Sequence, residues 1–287
     1  MSIVYSPSFS SKEVTSKQAP SIVKIMGILN VTPDSFSDGG KFSSHRQALK
    51  QIELMIRDGA DIIDIGGEST RPGAVIVSEE DELSRVIPLL KAIKENFDVE
   101  VSIDTSKAVV MAEAITYGAD MINDVYALQK PHCLDVVKQS TIPICLMHMQ
   151  GSPQTMQNNP HYDDIIKQVS LFFEERIMAC DKVGIDKSRL ILDPGFGFGK
   201  TLSHNYQLLA KLSLFKSFDL PLLSGISRKS MIGDLLHRDT SSRMPGSIAA
   251  ALISVQQGAN IIRVHDVQET VDALKVLEAT TNEGLPC

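Results

Sequence analysis

Asp58-Gly59-Ala60-Asp61-Ile62-Ile63 recurs almost unchanged as Tyr117-Gly118-Ala119-Asp120-Met121-Ile122 and as Gln257-Gly258-Ala259-Asn260-Ile261-Ile262. Val183-Gly184-Ile185-Asp186 is a looser echo. Each phrase puts a Gly where a helix takes a left-handed cap, with an apolar run soon after it. Gly118 stands 59 residues after Gly59, Gly184 stands 66 after Gly118, and Gly258 stands 140 after Gly118. These gaps suit two, two and four units of a strand–helix repeat about 30–35 residues long. Working outward, strand candidates fall at 23–29, 61–65, 99–103, 120–123, 142–147, 189–192, 221–225 and 260–264. The segments between them are long enough for a helix, which is the pattern of a parallel sheet built from βαβ units. Eight units over about 260 residues predict an α/β fold, a single (β/α)8 TIM barrel. A doubly wound open sheet is the alternative.

The chain has 287 residues, of which 43% are hydrophobic and 22% charged. It can bury a sizeable core without disulfide or metal staples. Residues 1–20, rich in Ser and Lys and ending at Pro20, read as a tail or cover, and 21–287 as one catalytic domain. The net charge is −7 and the pI about 5.5, which argues against nucleic-acid or anionic-membrane partners. No apolar run approaches the ~18 residues of a membrane span, and Met1 to Gln18 is too polar for a signal peptide. Cys133, Cys145, Cys180 and Cys287 form no C-x-x-C pair and read as free thiols in a reducing cytoplasm.

In such a barrel the active site lies at the C-terminal strand ends. The first strand exits at Asn30 and the second into Gly66-Gly67-Glu68-Ser69-Thr70-Arg71-Pro72-Gly73. The next three exit at Asp104, Asn123-Asp124 and Met147-His148-Met149, and the sixth at Asp193-Pro194-Gly195-Phe196-Gly197-Phe198-Gly199-Lys200. The last two exit at Ser227-Arg228-Lys229 and Arg263-Val264-His265-Asp266. A single terminal Asp is commonly a helix cap, and Asp104 before Thr105-Ser106 fits that role. Capping needs no Lys, Arg or His, however. Asp104, Asn123 and Asp193 suit the edge of a flat 2-amino-pyrimidinone ring. Arg71, Lys229, Arg263 and His265 form a cationic group suited to a phosphate moiety. The run ending Gly199-Lys200-Thr201 resembles a Walker A loop only at its end, because Pro194 stands where that motif needs Gly. It reads as a flexible ligand-facing loop in which Phe198 can stack on a ring. His148 lacks a partner at metal-ligand spacing and reads as a satisfied rim histidine. The long loops at 31–43 and 66–80 read as lids.

These exits resemble the dihydropteroate synthase family over about residues 24 to 280. The matching stretches are Met26 to Gly40, Gly66 to Gly73, Ser102 to Ser106, Ile122 to Asp124, Leu146 to Gly151, Leu192 to Lys200, Ser227 to Gly233 and Ile262 to Asp266. The resemblance implies a (β/α)8 homodimer that uses Mg2+ to condense 7,8-dihydropterin-6-ylmethyl diphosphate with 4-aminobenzoate. It implies that Asp104, Asn123 and Asp193 read the pterin, with Lys229 on the ring and Met147, Phe198 and Gly225 lining the slot. It places Asn30, Thr70, Arg263 and His265 on the diphosphate, with Asn30 the Mg2+ contact. It places Thr70, Arg71, Pro72, Phe198, Ser227 and Lys229 on the aminobenzoate side, with Asp104, Asp193, Lys229 and Arg71 carrying catalysis. A pterin-dependent methyltransferase barrel is one rival, but it needs neither the diphosphate residues nor the two long loops. A non-catalytic pterin-binding subunit is another, and loss of Asn30, Lys229 or Arg263 would mark it.

Overall fold

A computed structural model describes residues 23–31, 40–71 and 73–281. The tail at 1–20, most of the first exit loop, Pro72 and Cys287 lie outside the described residues. The strands are β1 (Lys24–Asn30), β2 (Ile62–Gly66), β3 (Glu100–Asp104), β4 (Met121–Asp124), β5 (Ile144–Met147), β6 (Leu190–Asp193), β7 (Leu223–Ser224) and β8 (Ile261–Val264). They form one parallel sheet in the order β6-β5-β4-β3-β2-β1-β8-β7, and the bridge Leu192↔Leu222 joins its two ends. Between and after the strands run α1 (Gly40–Arg57), α2 (Glu79–Asn96), α3 (Ala108–Thr116), α4 (Cys133–Val137) and α5 (Ile165–Lys182). Then come α6 (Leu202–Ala210), α7 (Ser230–Leu236), α8 (Met244–Gln256) and α9 (Val267–Thr281). The expected eight-stranded barrel is the fold.

Most observed strands begin and end later than the apolar runs predict, and the repeated phrase explains both shifts. The Asp or Asn after each Gly-Ala does not join the ladder. Its side chain caps the bottom of the neighbouring strand: Asp61 accepts the N–H of Ile25, Asp120 that of Val101, and Asn260 that of Leu222. The glycines before them have φ of +100° at Gly59, +86° at Gly118 and +98° at Gly258, which costs a residue with a Cβ but not Gly. At the upper ends the ladder continues into Asn30, Gly66, Asp104, Asp124 and Asp193, residues that hydropathy alone would leave out.

Alternation then sorts every strand into two faces. Outward residues such as Ile63, Ile65, Val101, Ile103, Ile122, Leu146 and Leu192 pack under the helices in the main core. Inward, Met26, Ile62, Met121, Cys145, Ile191, Leu223 and Ile261 fill the lumen as a separate apolar plug. The next inward positions toward the mouth include Asp64, Asp104, Asn123, Met147, Asp193, Gly225 and Arg263. The plug is therefore the floor on which the polar residues stand. No helix among the described residues is long and apolar enough to cross a membrane.

Candidate active site

The register puts the polar exits side by side. Asn30 pairs across the ladder with Gly66, Gly66 with Asp104, and Asp104 with Asn123. Arg263, on β8, reaches across the lumen: its Nε donates to Asp64 at 2.6 Å and its Nη2 to Asp104 at 2.8 Å. The Asn123 amide donates to the same Asp64 oxygen at 3.3 Å. Asp104 is thus no helix cap; its carboxylate belongs to this buried network. Asp193 stands opposite, with Oδ1 accepting the Gly195 N–H at 2.7 Å. Lys229 donates to the Phe196 carbonyl, and its ammonium lies 4.6 Å from the centre of the Phe198 ring. Phe198, Met147, Met156 and Val125 form an apolar wall beside these groups. A slot with an acid-and-amide floor and an apolar side suits a flat, polar-edged ring.

Burial tunes the charges. It pushes the Asp104 carboxyl up to about 7, with Arg263 pulling the other way. It raises Asp193 too, against the pull of Lys229. It pushes the Lys229 ammonium down to about 8, although Asp193 draws it up.

The rim is less basic than the sequence suggests. Burial, reinforced by Arg263 and Arg228, pushes His265 down to about 4, so at neutral pH its ring is uncharged. Its Nδ1 lies 3.0 Å from the Ser227 hydroxyl, which also accepts the His265 backbone N–H. One hydrogen bond between Ser227 and Nδ1 therefore fixes the ring beside the strand exit. The Arg263 charge is already matched by Asp64 and Asp104. Arg71, by contrast, is exposed on its loop. Of the four cations read from the sequence, His265 is thus neutral, Arg263 is paired with two acids, Lys229 is half-buried near Asp193, and Arg71 is exposed.

Two features escaped the sequence reading. Asp64 sat inside an apolar run, yet it shares the inward face with Ile62 and Gly66, and that alternation was the available signal. Lys200 is neither a phosphate ligand nor part of a flexible loop. Its buried ammonium lies 2.8 Å from the Gly195 carbonyl, 2.9 Å from that of Phe198, 2.9 Å from His148 Nδ1 and 3.2 Å from His148 O. Burial holds His148 neutral, down to about 2, and its ring packs edge-on against Phe172. His148 is the satisfied rim histidine expected. The loop that carries Phe198 is thus clamped. At Gly195 (φ +67°) a Cβ would fall 1.9 Å from the His148 carbonyl oxygen. Gly195→Ala is expected to destabilise the fold by about 3 kcal/mol or more, read as a lowered melting temperature.

The comparisons agree with this geometry. The profile of the pterin binding enzyme family matches residues 26–265. The Escherichia coli K12 dihydropteroate synthase is 57% identical over 256 residues, 89% of this chain and 91% of that protein. A crystal structure of the Yersinia pestis dihydropteroate synthase with a sulfonamide drug superposes with a TM-score of 0.87 at 53% identity, covering 93% of this chain and 96% of that one. The Xanthomonas albilineans dihydropteroate synthase with 4-aminobenzoic acid superposes at 0.86 and 48% identity, covering 91% and 93%. The chain belongs to the pterin binding enzyme family and, within it, to the dihydropteroate synthases, which are transferases of folate biosynthesis.

Proposed function

We propose that this chain joins 7,8-dihydropterin-6-ylmethyl diphosphate to 4-aminobenzoate, giving 7,8-dihydropteroate and diphosphate by an SN1-like displacement. The observation that carries the reading is the slot itself. Asp104, Asn123 and Asp193 offer acceptors and one amide to a 2-amino-pyrimidinone edge, and Met147, Phe198 and Gly225 flank the ring face. Lys229 stands over the same ring. Arg263 keeps unused N–H donors beyond the two that Asp64 and Asp104 occupy. With His265, Thr70 and Asn30, it holds the diphosphate.

The methylene C–O bond breaks and its electrons leave with the diphosphate. The ring nitrogen conjugated to that carbon spreads the positive charge, and the Asp104 and Asp193 carboxylates favour it electrostatically. The 4-aminobenzoate amine, held on the side of Thr70, Arg71, Pro72, Ser227 and Lys229, forms the new C–N bond and gives up a proton. The solved Xanthomonas relative was obtained with 4-aminobenzoic acid, which supports this second substrate.

Among the described residues no group of three or more His, Cys, Asp or Glu side chains could hold a metal alone. Asn30 supplies one neutral oxygen at the mouth. That donor fits Mg2+ arriving on a diphosphate, a hard ion that keeps waters and phosphate oxygens and takes few protein ligands. When bound it neutralises charge on the leaving group.

A homodimer is part of the proposal, because Leu236, Ile253 and Val276 are exposed on α7, α8 and α9, three helices packed in series. The free, buried thiols of Cys133, Cys145 and Cys180 support a cytoplasmic setting.

Calorimetric titration with 6-hydroxymethyl-7,8-dihydropterin tests the ring-reading half. The wild type is expected to bind it, and Asn123→Ala to bind it at least about tenfold more weakly. Equal binding by both proteins refutes the assignment. The pH profile tests the charges. Asp104 carries its negative charge only above about 7, and Lys229 keeps its proton only below about 8. Hence kcat/KM for the pterin diphosphate is expected to peak between these values and fall on both sides. Lys229→Arg, which stays charged, should remove the alkaline limb and keep the acid one.

A further inference from the structure

The loop from β2 to α2 carries Thr70 and Arg71, and its stem is gripped far more firmly than a surface loop requires. Gly67 lies so close to α2 that a Cβ there would come within 2.8 Å of both Glu82 Cγ and Val86 Cγ2. Arg85 of α2 donates to the Gly67 carbonyl at 2.8 Å. The next residue, Glu68, uses both carboxylate oxygens: Oε1 accepts the Val77 N–H at 3.1 Å, and Oε2 accepts from Lys107. Lys107, at the N-terminus of α3, also donates to Glu82. Glu82 is fully buried, and its second oxygen makes no hydrogen bond among the described residues. The loop thus closes on itself through Glu68 and is bound to α2 and α3 by a half-buried lysine shared between two acids. Its far limb stays open, with Val75 84% and Ile76 69% exposed.

Buried charges cost desolvation, so this cluster is a poor device for stability alone. What it fixes is a position. We propose that Glu68, Lys107 and Glu82 form an ionic clasp that sets the stem of the 67–77 loop, making them positioning residues for the arylamine half of the site. The proposal rests on the reading above of Thr70 and Arg71. Lys107 follows Asp104 by three residues, so the clasp and the acid floor share the exit of β3. Burial works against the Lys107 charge, but its bonds to Glu68 and Glu82 hold its pKa above the ordinary value.

Glu68 offers the clean test. Lys107→Met would strand Glu82 as an unpaired buried charge and could unfold the protein. Glu68→Ala leaves Lys107 and Glu82 as a matched pair and removes both bonds that Glu68 makes, to Lys107 and to the Val77 N–H. Glu68→Gln is milder still, since its amide oxygen can go on accepting the Val77 N–H. In Glu68→Ala, amide exchange across 67–77 is expected to quicken by about tenfold or more. The KM for 4-aminobenzoate should rise about tenfold, the scale of one charge-assisted hydrogen bond. The KM for the pterin diphosphate, which only Thr70 of this loop touches, should rise less, by about threefold at most, and Glu68→Gln should fall between Glu68→Ala and the wild type. A folded Glu68→Ala with wild-type loop exchange overturns the clasp, as does an equal loss of affinity for both substrates. Absence of turnover in the wild type would sink the proposed reaction instead, while the exchange rates still decide whether the clasp exists.

Discussion

Asp193→Asn is expected to lower kcat/KM for the pterin diphosphate by about 10^2–10^3-fold while leaving the fold intact. The asparagine keeps the shape and retains an oxygen for the Gly195 N–H, so the β6 exit has no reason to move. What disappears is a buried charge with two duties. In the proposed reaction it would accept N–H groups of the ring, a bond roughly twice as strong when the acceptor is ionised. It also holds the Lys229 proton against burial, so that ammonium should titrate below its present value of about 8. Lys229→Ala removes the other member of the pair and should cost a similar factor. Near-normal turnover in either variant, with a melting temperature like that of the wild type, would show that the pair does not carry the chemistry.

Arg263→Met is expected to cost about 3–5 kcal/mol of stability, the penalty for leaving buried acids without their cation. Asp64 is wholly buried, and Arg263 is its only cationic partner among the described residues. Asp104 loses its ion pair in the same step. For a chain of this size the loss should lower the melting temperature by about 10 °C. The cost should be partly reversible: adding Asp64→Asn to Arg263→Met removes one stranded charge and should recover a substantial share of the stability. Additive losses in that double variant would mean the two side chains are not coupled.

The barrel was legible because its signal is repeated. The Gly-Ala-Asp phrase marks a helix end, a strand start and a cap on the neighbouring strand each time it occurs. The strand limits were misplaced because hydropathy marks apolar residues, whereas a barrel strand runs on through the polar residue that faces its mouth. Asp104 and Asp193 are such residues, and reading the strand exits found both. Asp64 was harder to see because it stands mid-strand, where an acid is tolerated only if an arginine 199 positions away reaches it. The overestimate of rim charge has the same origin. A sequence counts His265 as a potential cation, but burial beside two arginines keeps it neutral. The Glu68–Lys107–Glu82 cluster joins three separate segments, and no local pattern announces it.

Formation of 7,8-dihydropteroate from 7,8-dihydropterin-6-ylmethyl diphosphate and 4-aminobenzoate with Mg2+, followed by chromatography, is the most direct test of the proposed reaction. The predicted result is product and diphosphate in equal amounts when both substrates are present, with no product when either is left out. A folded wild-type protein that yields no dihydropteroate under any of these conditions would contradict it.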